Sequence, residues 1–344
     1  MSTSPTIPAP RRREPVPSLS WGILGPGGIA GRFVDALHRQ SDQRVVAVGS
    51  RALSRAEKFA SQHDIPQAMG SPAELVGLES VDVVYIATPH SSHRAMAELA
   101  LQAGKHIVVE KPFMMTEDDA RTVFDLAQDR GLFAMEAMWT RYLPQADILR
   151  QILQAELIGE VSYVAADFGF VATYDPEHRL FNPELGGGAL LDAGVYPVSF
   201  ISSVLGIPQS VHAAGSLAAT GVDDHAQLTL SYERALACAV TSLRSALPVT
   251  AVVAGTKGRV ELDSPYIRPS GLMLSTKAMW GPDPDAATWT DTTLAEPYDA
   301  LHYQAVAAAG YIAQGRTESP IHTHAETAAI VGVLDQARRQ LGAR

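Results

Sequence analysis

Between residues 20 and 138, short apolar runs alternate with amphipathic stretches. Trp21-Gly22-Ile23-Leu24 reads as a strand, and the apolar spacing over 29–38 predicts a helix. Residues 44–49 predict a second strand and 54–62 a second helix. Ser71-Pro72 has the form of a helix N-cap followed by proline at the first helical position. Two stronger strands are expected at 81–88 and 106–110. Helices are expected at 92–103, stopping at Gly104, and at 116–129, ending before Gly131. Strands alternating with helices at this spacing imply a doubly wound parallel sheet with both faces buried.

Beyond about residue 143 the texture changes. A connecting helix is expected over 144–157. Residues 161–170, 226–232, 236–243 and 249–254 alternate in polarity or are rich in Val, Leu and Thr. Gly255-Thr256-Lys257-Gly258 reads as a turn into a strand at 259–262. Strands in succession imply a largely antiparallel sheet. Helices over 300–314 and 325–341 close the chain, and the polar stretch 280–298 predicts a loop. The pattern is that of an α/β protein in three parts: a disordered tail over 1–19, a first domain over 20–142 and a second over 143–344.

Composition narrows the partners. A chain of 344 residues suits about two domains of ~150 residues. Its net charge of −10 argues against a broad basic surface for nucleic acid. The one basic run, Arg11-Arg12-Arg13, sits among Pro and Ser and reads as solvated tail. The first twenty residues hold three arginines and five prolines but no apolar signal segment. No run approaches the ~18–20 apolar residues that span a membrane. Cys238 is the only cysteine, so no disulfide framework forms within the chain, and its apolar neighbours make it a small core residue. A cytoplasmic protein is expected.

Candidate chemistry begins at Gly25-Pro26-Gly27-Gly28-Ile29-Ala30, a G-x-G-x-x-A pattern directly after a strand and opening a helix. Gly25 permits the tight turn, Gly27 the approach of a pyrophosphate, and Ala30 close helix packing. Free N–H groups at the helix start, from Gly28 and Ile29 onward, then face the phosphates. A glycine-rich turn without a ligand is the alternative. The second strand of such a unit reads the ribose, usually through Asp or Glu. Here Ser50 and Arg51 stand at that end, with Arg55 nearby, and Asp42 precedes the strand. Guanidinium groups suit a 2′-phosphate, so NADP is favoured over NAD.

Two strand ends carry further candidates. Thr88-Pro89-His90-Ser91-Ser92-His93 and Glu110-Lys111-Pro112 lie at carboxyl ends of parallel strands, where such sheets bind ligands. Taken alone, Lys111 is a surface charge at a strand end. The run Gly186-Gly187-Gly188, leading to Asp192 and Tyr196, adds a second element. On a helix Asp192 and Tyr196 share a face. A phenol can exchange a proton with a hydroxyl or carbonyl if a nearby ammonium such as Lys111 lowers its pKa from ~10. A buried tyrosine bonded to Asp192 is the equal alternative.

Together these motifs resemble the Gfo/Idh/MocA oxidoreductase family over nearly the whole chain from about Ser20 to Gly342. Met135-Glu136-Ala137-Met138-Trp139-Thr140-Arg141 and Gly221-Val222-Asp223-Asp224 are most similar to its dimeric dihydrodiol dehydrogenases and NADP-dependent D-xylose dehydrogenases. Many members carry His where this chain has Tyr196. The resemblance implies a Rossmann domain plus an α/β domain whose open sheet forms an oligomer interface, in a homodimer or higher homo-oligomer. It implies that Lys111 polarises the reacting oxygen, that Tyr196 is the acid/base and that Asp192 orients substrate or Tyr196. It places Trp139 and Arg141 at the cofactor site, together with Thr88, Pro89, His93 and Glu110, and makes Arg179 and Phe181 candidate substrate contacts. The implied substrate is a sugar, cyclitol or trans-diol.

Other functions leave weaker traces. A nucleotide-sugar ketoreductase of a deoxysugar pathway needs a basic groove for the pyrophosphate, and residues 167–190 offer only His178 and Arg179. Retention of both Lys111 and Tyr196 argues against a non-catalytic NAD(P)-binding sensor. The pairs His90/His93 and His322/His324 lack the partners that complete a metal site, so no metal is expected.

Overall fold

The structure is a computed structural model that describes residues 5–12, 14–276, 283 and 285–344. Arg13 of the basic run and residues 280–282 and 284 of the expected loop lie outside the described residues.

Six parallel strands build the first sheet: β1 (Ser20–Leu24), β2 (Arg44–Gly49), β3 (Gln67–Met69), β4 (Val83–Ile86), β5 (His106–Val109) and β6 (Ala134–Glu136), in the order β3-β2-β1-β4-β5-β6. Between them run α1 (Gly28–Gln40), α2 (Leu53–Gln62), α3 (Pro72–Val76), α4 (His93–Gln102) and α5 (Glu117–Asp129). Alternate residues of each strand enter different cores. Trp21, Ile23, Val83, Tyr85 and Val108 pack with α1, while Leu24, Val84, Ile86, Ile107 and Val109 pack with α4 and α5. Ser71 caps its helix as expected, accepting the Glu74 N–H, and Thr116, read as the first helical residue, is the cap of the next, accepting the Asp119 N–H. The strand order reverses between β1 and β4, which opens a crevice at their carboxyl ends.

The second sheet has eight strands. After α6 (Pro144–Gln154) come β7 (Val161–Gly169), α7 (Val195–Leu205), β8 (Ser210–Leu217), β9 (Asp223–Ser231), β10 (Leu236–Ser242), β11 (Ala251–Gly255), β12 (Gly258–Leu262), β13 (Gly271–Ser275) and β14 (Ala287–Thr290). Their order is β14-β13-β12-β11-β7-β10-β9-β8. Only β7 and β10 pair in parallel among the described strands. One face packs on α6, α7 and the last helix, α9 (His324–Leu341), which follows α8 (His302–Ala313). Among the described residues no helix packs on the other face. Along β10, Ala237, Ala239 and Thr241 point inward, and Leu236, Cys238 and Val240 outward.

Several expectations change. Strand β14 forms inside the expected loop, because Thr288 and Trp289 pair with Met273 and Leu272. The described part of the tail is not loose. Its Arg11 N–H donates to Asp147 at 2.8 Å, Ala9 O accepts from Gln151 at 2.9 Å, and Ile7 packs on the second core. A row of polar side chains on α6 supplies those partners. Cys238 is half-buried on the open face, not in the core. The stretch Pro183–Leu205, a short 3-10 turn, a glycine break and then a helix, is apolar and long enough to pass for a membrane-crossing segment, which the reading of apolar runs missed; 72% of its most apolar window is buried, as in a core helix. The second part of the chain also returns to the first. Ala300, Leu301, Ala305 and Ala308 join the core around α1, and Ala328 of α9 joins the core around α5.

Candidate active site

The glycine loop sits at the mouth of the crevice. Gly25 has φ +91°, and a Cβ there would lie 2.6 Å from the Ala87 carbonyl, so only glycine fits against the end of β4. Gly27 and Gly28 face open space, with no atom within 4 Å of a Cβ built on either. Gly27 caps α1 without any side-chain bond, which leaves the first N–H groups of that helix free. Thr88 Oγ1, across the crevice, is buried without a hydrogen-bond partner among the described residues. An open cradle, free N–H donors and an orphaned hydroxyl fit a dinucleotide bound at this helix start. Beside the loop, Gly49 O accepts from Gly25 N, so the end of β2 brings Ser50 within reach, with Arg51 and Arg55 exposed beyond it.

The reacting groups converge from two elements. Lys111 follows β5, and its chain position is fixed by Glu110, whose Oε2 accepts the Lys111 N–H at 3.3 Å. Glu110 in turn accepts from the buried Tyr85 hydroxyl. Asp192 and Tyr196 arrive on a helix that begins with a π-turn, Leu190–Gly194, and continues as α7. Such turns concentrate at functional sites. Lys111 Nζ donates to the Asp192 carbonyl at 2.6 Å and lies 3.3 Å from its Oδ1. The same ammonium stands 5.1 Å from the centre of the Tyr196 ring. Arg179 Nη1 meets Asp192 Oδ1 at 2.8 Å from the other side. Trp139 stands beside Tyr196 and favours its charged form, against the larger effect of burial.

Lys111 and Asp192 are nearly closed off, with side chains 14% and 9% exposed. Burial opposes the charge on both, but their mutual attraction wins. Asp192 is held well below the usual carboxylate range by Lys111 and Arg179. Lys111 is held above the usual lysine value by Asp192, Tyr196 and Glu110. Tyr196 departs from expectation. Burial raises it above the usual phenol value, and the downward pull of Lys111 offsets only part of that. The lysine therefore acts on the phenol in the expected direction without overcoming desolvation.

Other expected site residues take different parts. His93 is fully buried and bridges the carbonyls of Thr88 at 3.0 Å and Pro112 at 3.0 Å, so it ties the two strand ends together instead of facing the cofactor. Pro89 starts the turn after β4, and His90 Nδ1 donates to the Gly186 carbonyl at 2.8 Å. Burial, with His93 and Lys111, drives His90 down to about 3. Arg141 does not line the crevice. It bonds Ser199 Oγ and O on α7 and Glu326 Oε1 on α9, a buried clamp. Phe181 is 3% exposed and packs on Tyr174 and beneath the loop, so it is no substrate contact in this state. His322 bonds Glu136 at 2.8 Å and His324 the Ala134 carbonyl at 2.9 Å. No cluster of three metal-ligating side chains occurs among the described residues.

Sequence reasoning missed Tyr298. Its ring lies parallel to Trp139 at 5.9 Å, with Arg32 at 3.8 Å and Arg268 at 5.0 Å from its centre. Asp299, its neighbour, binds Arg39 and Gln40 of α1. It stands in the stretch read as loop, and the contacts that give it a role span the whole chain. Glu136 was quoted only as part of a motif. It holds Phe113 N–H at 2.8 Å and so fixes the turn that follows Lys111.

Comparison with known proteins agrees with this geometry. The profile described as "Oxidoreductase family, NAD-binding Rossmann fold" (GFO/IDH/MocA) matches residues 19–138, and that of the GFO/IDH/MocA C-terminal domain matches residues 147–261. The trans-1,2-dihydrobenzene-1,2-diol dehydrogenase of Sus scrofa is 36% identical over 334 residues, covering 94% of this chain and 97% of its own. An NAD binding oxidoreductase from Klebsiella pneumoniae shares the fold with a TM-score of 0.82 at 22% identity, over 94% of this chain and 97% of that one. A 3-ketoreductase from Actinomadura kijaniata, solved with NADP and TDP-benzene, does so with a TM-score of 0.79 at 24% identity, over 94% and 98%. This chain is an oxidoreductase with an NAD(P)-binding Rossmann domain, and it belongs to the Gfo/Idh/MocA family.

Proposed function

We propose that the protein is an NADP-linked dehydrogenase that oxidises a secondary hydroxyl of a trans-diol, cyclitol or sugar, reversibly. The observation that carries this reading is the placement of Lys111 Nζ between Asp192 and the Tyr196 ring. The likeness to diol dehydrogenases supports the substrate class. A nicotinamide dinucleotide held at the glycine loop would supply hydride exchange with the carbinol carbon. Tyr196 takes the hydroxyl proton during oxidation and gives it back during reduction. The Lys111 ammonium holds the substrate oxygen and stabilises negative charge on the phenol. Asp192 keeps Lys111 charged and in place, and Arg179 balances Asp192 from the open side. Because burial keeps Tyr196 protonated at neutral pH, oxidation speeds up as pH rises. The reading is tested by incubating the enzyme with NADP and a panel of aldoses, inositols, anhydrosugars and trans-diols, following reduced-cofactor absorbance. No turnover across the panel contradicts it.

Arg51 and Arg55 support NADP over NAD, since both are exposed beyond the end of β2 and free to meet a 2′-phosphate. Arg51→Ala should raise KM for NADP by about 10–100-fold, the loss of one charge-assisted bond of ~1.5–3 kcal/mol. KM for NAD should stay within a factor of about two, by the same reasoning. Equal effects on both cofactors would show that Arg51 does not read the phosphate.

The open face of the second sheet supports a homo-oligomer. Tyr163 and Leu236 are 44% and 56% exposed there, beside Ala165, Cys238, Val240 and Val252. An apolar sheet face of this kind is normally covered. Leu236→Asp should shift the protein to a smaller species in sedimentation velocity, with the fold intact by circular dichroism. An unchanged sedimentation coefficient would remove this face from the interface. The lone thiol suits a reducing compartment, so we place the enzyme in the cytoplasm.

A further inference from the structure

The Gly221-Val222-Asp223-Asp224 run has no part in the chemistry above, yet Asp223 is fully buried. It opens β9, directly beneath the start of the helix that carries Asp192 and Tyr196. Its Oδ2 accepts the Leu190 N–H at 2.6 Å. Its Oδ1 has no partner among the described residues and faces Gly188. Gly188 has φ +122°, and a Cβ on it would collide with that oxygen. No side chain of the helix itself caps this end. The orphan N–H groups of a helix start need such an acceptor, and a negative charge there is favoured by the helix dipole.

We infer that Asp223 is a positioning residue, a carboxylate cap supplied from β9 that sets where Asp192 and Tyr196 stand relative to Lys111. The chain of contact is short. Leu190 is two residues from Asp192, and both the carbonyl and the carboxylate of Asp192 hold Lys111 Nζ. A shift of the helix start therefore moves the ammonium that serves the reacting oxygen.

The cap is also poised to respond to pH. Burial pushes the Asp223 carboxyl up to about 6, against the Leu190 N–H and Arg338. The charged groups around it are Arg338 on α9 and Asp224 beside it on β9, which is engaged by Ser216 at 2.6 Å and Arg244 at 3.7 Å. Arg344, at the chain end, lies against Gly221, and His225 follows on the same strand. From the helix side Asp223 meets the backbone of Gly188 and Leu190. Below about pH 6 the carboxyl is protonated and the charged cap is lost. Of the site's own groups, Lys111 and Tyr196, both raised, Asp192, well lowered, and His90, at about 3, hold their charge from pH 5 to 8, while burial raises the Glu110 carboxyl behind Lys111; the Asp223→Asn comparison separates the two carboxyls.

The test compares wild type with Asp223→Asn, which keeps the shape and a neutral acceptor. The inference rests on hydride transfer at this site, so the readout is kcat for reduction of a vicinal hydroxyketone at saturating NADPH, from pH 5 to 8. Wild type should lose activity below about pH 6. The variant should be at least ~10-fold slower at pH 8, as expected for a misplaced catalytic group, and its rate should not fall further in acid. KM for NADPH at pH 8 should be unchanged, which a general loss of structure would not give. The same acid limb in Asp223→Asn overturns the inference and leaves the dehydrogenase reading standing. Absence of wild-type turnover at every pH overturns both. If the variant does not fold, the limb is measured in His178→Gln, which removes the exposed histidine of the substrate loop. A limb near pH 6 that persists there supports Asp223, and a flat profile overturns it.

Discussion

Replacing Tyr196 with Phe lowers kcat by at least ~100-fold in both directions, the usual loss when a positioned acid or base is removed. The substitution deletes one hydroxyl from a ring already held by Phe168, 5.3 Å away, so the fold should not change. KM for NADP should therefore stay near its wild-type value. Steady-state kinetics with the best substrate check this. Turnover within tenfold of wild type would mean that another group moves the proton.

Lys111→Met has an equally large expected effect on kcat, ~100-fold or more, for a different reason. Methionine fills the space but removes the charge that polarises the substrate oxygen. It also leaves Asp192 buried with Arg179 as its remaining counter-charge. Breaking one side of such a buried pair costs about 3–5 kcal/mol of stability. A thermal melt beside the kinetics separates the two losses: the folded variant should still bind NADP through the glycine loop, yet turn over poorly. The double variant with Tyr196→Phe should be little slower than either single one, because the two residues act as a unit. Multiplying losses would show that they act independently.

Much of this was legible in the chain. The strand Arg44–Gly49 and the cap at Ser71 follow from local rules, which depend on neighbours a few residues away. The glycine loop was legible for the same reason: the demand on Gly25 comes from a turn fixed by two adjacent elements. Lys111, Asp192 and Tyr196 were legible as types at the right ends of the right elements. Their geometry was not. A π-turn shifts the Asp192–Tyr196 relation from the regular helical spacing, and no apolar period reports it.

The errors share one cause, which is distance along the chain. Arg141 was assigned to the cofactor, but its partners Ser199 and Glu326 lie 58 and 185 residues away. Whether Lys111 lowers the Tyr196 phenol was left open between two readings, and burial by distant elements outweighs the nearby lysine. Phe181 was read as a loop contact, but Leu180, Ala189, Val222 and Leu243 close around it. Strand β14 was lost in a polar stretch, because its partner β13 was itself unrecognised.

If hydride passes between a CH–OH carbon and the nicotinamide at the Lys111–Tyr196 site, an isotope on that carbon follows it. The best substrate is prepared with deuterium on the carbinol carbon and incubated with NADP and enzyme, and the reduced cofactor is analysed by mass spectrometry. Wild type should give one deuterium in each reduced nicotinamide, and Tyr196→Phe should transfer it at least ~100-fold more slowly. Reduced cofactor without deuterium, or transfer at the wild-type rate in that variant, would contradict it.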